Sequence, residues 1–114
     1  MSDNRPVYLR LRDEIAAAII EGRYAEGDML PSVRAFAADQ GANPLTVAKA
    51  YQGFQDEGLI VVKRGVGMFV APQAAERLRT TERKDFLENR WPGIVSHIRR
   101  IGLDVDDLVE RALA

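Results

Sequence analysis

The segment LPSVRAFAADQGANPLTVAKAYQGF, residues 30–54, decides the fold. Pro31-Ser32 opens a helix, with the Ser32 hydroxyl placed to accept a hydrogen bond from a free backbone amide. Val33, Phe36 and Ala37 give that helix a short apolar face, and Gln40-Gly41 ends it after barely two turns. A second helix starts at once, because Asn43 is a preferred N-cap and Pro44 a preferred first helical residue. Val47, Ala50, Tyr51 and Phe54 then line one face until Gly58. Two short helices joined through Gly41-Ala42 form a helix-turn-helix arrangement.

The flanks extend this unit. Leu59-Ile60-Val61-Val62 and Met68-Phe69-Val70 are β-branched or aromatic runs bounded by Gly58 and Pro72. Between them lies Lys63-Arg64-Gly65-Val66-Gly67, so the two runs predict a hairpin with a positive, tightly turned tip, a wing. On the N-terminal side, Tyr8, Leu11, Ile15, Ala18 and Ile19 form an apolar stripe on a helix from about Pro6 to Glu21, stopped by Gly22. Arg23 to Asp28 is a turn-rich connector, and Met29-Leu30 is long enough only for a very short strand.

After Pro72 the composition shifts to Ala, Glu, Arg and Leu, which are strong helix formers, and a boundary is placed there. From Leu87 the apolar residues step through Trp91, Ile94, Ile98 and Ile101 at heptad spacing, with Pro92 expected to kink or restart the helix. Gly102 is a stop, Asp104 an N-cap, and Leu108, Val109, Ala112 and Leu113 the inner face of a final helix. The expected fold is mainly α with a small β-hairpin: a winged helix-turn-helix over residues 1–72 and a short C-terminal helical dimerisation segment over 73–114. Leu87, Trp91, Ile94, Ile98, Ile101 and Leu108 are the expected dimerisation residues, since so short a tail cannot bury its own apolar face.

The 114 residues are 46% hydrophobic and 29% charged, an ordinary globular composition. Without cysteine there are no disulfides, thiolate metal sites or thiol nucleophiles. No apolar run suits a signal peptide or a membrane span, so a cytoplasmic protein is expected. Net charge is -1, with eight Lys or Arg against nine Asp or Glu in residues 1–72 and eight of each in the remainder. Nucleic-acid binding must then rest on the placement of a few cations.

The helix launched at Asn43 is expected to enter a major groove with its N-terminal residues toward the bases. Asn43 can pair bidentately with adenine, or can serve only as a cap. Thr46 can reach a base edge or phosphate, Arg34 a guanine or phosphate, and Lys49 a phosphate, although a lone helical cation is often merely solvated. Lys63 and Arg64, beside Gly65 and Gly67, suit a wing that approaches a phosphate or minor groove, and equally suit a plain soluble turn. His97 has no clustered partners at ligand spacing, so no metal is expected. No nucleophile has a base at recognisable spacing, so no enzyme is expected.

Taken in order, several pieces resemble the N-terminal domain of the GntR family of bacterial repressors. They are Pro6-Val7-Tyr8, Gly22-Arg23-Tyr24 with Gly27, Leu30-Pro31-Ser32 with Arg34, Asn43-Pro44 with Thr46-Val47, Ala50-Tyr51, Gly58-Leu59-Ile60, and Gly65 with Gly67, Phe69 and Val70. The entry, the Asn-Pro helix start and the brief tail are similar to the YtrA subfamily, whose members dimerise through two tail helices. The resemblance implies that Arg34, Asn43, Thr46 and Lys49 face an operator and that Lys63 to Gly67 form the contacting wing. Leu45 stands where such proteins often carry a polar residue, and can meet a thymine methyl or simply pack. The larger subfamilies' metabolite-binding and cofactor-binding domains do not fit behind residue 72, so no cofactor is expected. The resulting expectation is a homodimeric repressor binding double-stranded DNA at a palindromic operator. A small-molecule effector, in a shallow pocket around Trp91 and His97, is compatible but unidentified. The alternative is a winged-helix module that binds protein and not DNA.

Overall fold

The structure, a computed structural model, describes residues 6–113, which form two compact units, one up to Arg79 and one from Thr80 onward. The first unit begins with α1, Val7–Ile20, which buries Leu11, Ile15, Ala16, Ala18 and Ile19 along one stripe. Next come α2, Val33–Gln40, and α3, Pro44–Asp56. Both α1 and α2 pack on α3. α3 contributes Val47, Ala50, Tyr51 and Phe54 to the core, and Val47 and Phe54 are fully enclosed.

Local chemistry sets the helix ends. Ser32 Oγ accepts from the Ala35 amide at 3.1 Å and starts α2. Gly41 ends it at φ 62°, ψ 35°, a left-handed conformation that costs a residue with a Cβ but not glycine. Asn43 Oδ1 accepts from the Leu45 amide at 2.8 Å, and Pro44 follows without an amide to leave unpaired. The Tyr51 hydroxyl donates to the Pro31 carbonyl at 2.8 Å, which pins the entry of α2 to the middle of α3.

The wing is an antiparallel pair, β1, Ile60–Lys63, and β2, Gly67–Val70, with Ile60 opposite Val70 and Lys63 opposite Gly67. β1 sits one residue later than the apolar run suggests, and β2 begins one residue earlier, at Gly67. Leu59, though buried, gives its amide to the Phe54 carbonyl at 2.9 Å, while Lys63 enters the ladder. Met29 bridges to Phe69, so the expected very short strand is one bridge on the flank of β2.

α4, Ala74–Asp85, begins just after the composition change at Pro72, but its first turns belong with the winged unit. Ala74 and Leu78 are buried in the same core as Phe54 and Ile60. The Arg77 guanidinium donates to the carbonyls of Glu57 (2.7 Å) and Gly58 (3.2 Å), satisfying acceptors at the C-terminal end of α3. The division therefore falls within α4, where that anchoring stops, and not at residue 72.

In the second unit a π-helical turn, Phe86–Arg90, leads into α5, Trp91–Arg100. The Trp91 amide reaches back to the Phe86 carbonyl. Proline lacks the amide that continues an α-helical ladder, and its ring crowds the carbonyl four residues earlier. The widened turn just before Pro92 accommodates that conflict, and α5 starts beside the proline, at Trp91. Gly102 ends α5, Asp104 Oδ1 accepts from the Asp106 amide at 2.8 Å, and α6 runs from Val105 to Leu113. Among the described residues no helix is long and apolar enough to cross a membrane.

Candidate nucleic-acid interface

α3 is held by its buried face, which leaves its N-terminal turns to carry exposed chemistry. Asn43, Leu45 and Lys49 are exposed, and Thr46 is half-buried. Leu45 is 80% exposed, so it does not pack within the chain. The Asn43 Oδ1 atom accepts the helix-capping bond with one of its two lone pairs. Asn43 thus sets the geometry of the helix start in the structure as it stands.

Arg34 lies in the first turn of α2, exposed, and among the described residues it makes no hydrogen bond or ion pair. Its guanidinium keeps all five N–H donors available. Lys49 is different. Its Nζ lies 3.9 Å from the centroid of the Tyr8 ring on α1, a contact that nothing in the spacing of the sequence signals.

At the wing, the Val66 amide donates to the Lys63 carbonyl at 2.9 Å, closing a turn through Arg64 and Gly65. Arg64, Gly65 and Val66 are all exposed, and Lys63 Nζ lies 4.5 Å from the Phe69 ring. Gly67 has a φ of 153°, which residues with a side chain rarely adopt, and a Cβ there would stand 2.8 Å from Sδ of the exposed, flexible Met29 side chain, which would have to shift.

An open groove of about 760 Å³ lies between α1 and the helix-helix turn, lined by Arg10, Glu14, Glu21 and Arg23 and, at the base of α3, by Asn43 and Thr46. Arg23 pairs with Glu21 at 2.9 Å, so its lining carries both signs of charge. Among the described residues no cluster of His, Cys, Asp and Glu could hold a metal ion. Burial, and secondarily Tyr24, pushes the ionisation of the Tyr51 hydroxyl well above the usual tyrosine value. Tyr51 is a packing residue on the inner side of α3, remote in role from the exposed positions.

In the second unit Ile98 is buried and Trp91 and Leu108 are half-buried, while Leu87, Ile94 and Ile101 are exposed. His97 is exposed, with Nδ1 3.0 Å from the Arg100 guanidinium.

This arrangement matches known proteins. The family model for bacterial regulatory proteins of the gntR family matches residues 7–70. The uncharacterised HTH-type transcriptional regulator YhcF of Bacillus subtilis is 29% identical over 109 residues, covering 94% of this chain and 87% of YhcF. The HTH-type transcriptional repressor YtrA of the same organism is 37% identical over 73 residues, covering 64% of this chain and 56% of YtrA. A solved structure of the AraR DNA-binding domain in complex with the operator ORR3 superposes with a TM-score of 0.58 at 25% identity, covering 62% of this chain and 86% of that one. With its capped reading helix, glycine-bearing wing and these relatives, the chain belongs to the gntR family of bacterial regulatory proteins, a transcription regulator, not an enzyme, with a winged-helix DNA-binding domain.

Proposed function

We propose that the chain is a cytoplasmic, homodimeric repressor in which two winged units bind the two half-sites of an approximately palindromic operator. The observation that carries DNA reading is the exposure of Arg34, Leu45 and Lys49 around the capped start of α3, where a duplex can reach them. Arg34 reads a base or grips a phosphate, Leu45 meets a thymine methyl, and Thr46 and Lys49 reach the backbone or base edges. Asn43 fixes the helix start, and Lys63, Arg64, Gly65 and Gly67 form the wing that approaches the adjacent sugar-phosphate surface. The reading is further supported by the operator-bound domain among the structural neighbours and, for repression, by the YtrA relative.

Dimerisation is assigned to the tail, residues 73–114, on the strength of the apolar side chains that its helices leave exposed, Leu87, Ile94 and Ile101 foremost. Trp91, Ile98 and Leu108 complete the set assigned to that interface. A two-fold protein demands two-fold DNA, with half-sites about one helical turn apart or a multiple of it.

The deciding experiment is selection of bound fragments from the source genome with the purified full chain, followed by a salt titration on the enriched duplex. A palindromic consensus and affinity that falls steeply with salt are expected. Enrichment of no sequence, together with salt-insensitive or absent binding, would leave a protein-binding winged helix as the better account.

A further inference from the structure

The two interface lysines have something in common that the two interface arginines lack: each lies over an aromatic ring. Lys49 Nζ is 3.9 Å from the Tyr8 ring centroid, and Lys63 Nζ is 4.5 Å from that of Phe69. The two contacts arise independently, one between α3 and α1 and one within the wing. In the wing, the register explains it. Lys63 stands opposite Gly67, which has no side chain, so its stem lies diagonally toward Phe69, two residues along on the same face. In the helical layer, α1 packs on α3, and half-buried Tyr8 in the first turn of α1 holds its ring where Lys49 emerges.

We propose that Tyr8 and Phe69 are positioning residues for DNA binding, each ring holding one lysine ammonium in place for a phosphate. A lysine is a strongly hydrated point charge on a flexible stem, and ordering that stem opposes binding. The ring face attracts the cation without consuming its three N–H donors, so a phosphate can still accept from it. Arginine, with its rigid planar fork, needs such help less. Pre-placement matters here because the chain has net charge -1 and cannot draw on a general positive field. The inference rests on the reading above, that Lys49 and Lys63 contact phosphates.

The test is a double-mutant cycle on the full chain, using a mixed-sequence duplex and the duplex that it enriches from a random pool. Lys49→Met is expected to weaken binding to both and to make the salt dependence shallower by about one unit of slope. Tyr8→Leu is expected to weaken binding by up to about threefold, the share one phosphate contact contributes between low and physiological salt. In the Lys49→Met background Tyr8→Leu should cost nothing further, and Tyr8→Phe should bind as the parent does. Equal losses from Tyr8→Leu in both backgrounds overturn the positioning role while leaving the Lys49 contact standing. No effect of Lys49→Met on affinity or salt slope removes the contact itself. The parallel cycle of Phe69→Leu with Lys63→Met applies the same criteria to the wing. If Tyr8→Leu fails to fold, the free parent protein still decides. The Lys49 ε-methylene protons should be shifted upfield by the ring current in the parent and in Tyr8→Phe, and unshifted values there refute the stacking.

Discussion

The chain up to Arg79 and the chain from Thr80 onward solve the burial problem in opposite ways. In the first, Leu11, Ile15, Phe36, Val47, Phe54, Ile60, Val70 and Leu78 meet in one core, and among the described residues the Tyr51 hydroxyl buried with them is satisfied by the Pro31 carbonyl. In the second, Ile98 is the buried large residue, while Phe86, Leu87, Ile94, Ile101, Leu103, Val109 and Leu113 remain exposed. The winged unit is complete as one copy. The tail's helices leave an unmatched apolar surface, and most helix stability comes from packing such a surface against something.

The sharpest way to break this contrast is Phe54→Ala, which should lower the stability of the winged unit by about 3–5 kcal/mol, read from the urea midpoint. A loss below about 1 kcal/mol would mean that the core is not closed as described. Replacing Ile94 and Ile101 together by Asp should weaken self-association by about 2–3 kcal/mol per protomer, since both are already about half buried and together would newly bury roughly the area of one isoleucine. Sedimentation would report monomers, with amide protection in α1 and α3 unchanged. An unaltered dimer would move association elsewhere. Next in size, Arg34→Ala should reduce affinity for the enriched operator by about 1–3 kcal/mol if the guanidinium reads a base, and a uniform loss on all sequences would make it a phosphate contact instead.

The smallest effect concerns Tyr51. Its folded-state ionisation lies above the unfolded value of 10.0, so the native phenol contributes stability below that pH and loses it as pH rises beyond it. Tyr51→Phe should cost about 1 kcal/mol at neutral pH through the lost bond to the Pro31 carbonyl. It should also make the alkaline fall in stability shallower, which a series of melting curves would show.

The helix-turn-helix was legible because its signals are chemical and local: Ser32 and Asn43 cap, Gly41 turns, and the buried faces recur with helical period. The tail's stop at Gly102 and cap at Asp104 were legible for the same reason. The end of the winged unit was not. Ala74 and Leu78 look like ordinary helix formers, and only the contacts across space show them in the core. The π-turn before Pro92 was equally hidden, since a proline predicts a conflict but not which neighbouring turn absorbs it. At the interface the exposed residues were nameable, whereas their settings were not. No periodicity pairs Tyr8 with Lys49 or places Met29 over Gly67.

The hairpin has one more property that follows from its order. β2 is flanked by the Met29 bridge, which leaves β1 as the outer strand, with Val61 and Val62 exposed along it. An outer strand bearing valines is a template on which other chains can add themselves and grow into aggregates. This one is four residues long and terminates in Lys63, followed by Arg64. Charges at the end of a short outer strand act as gatekeepers, opposing the in-register addition of a second strand.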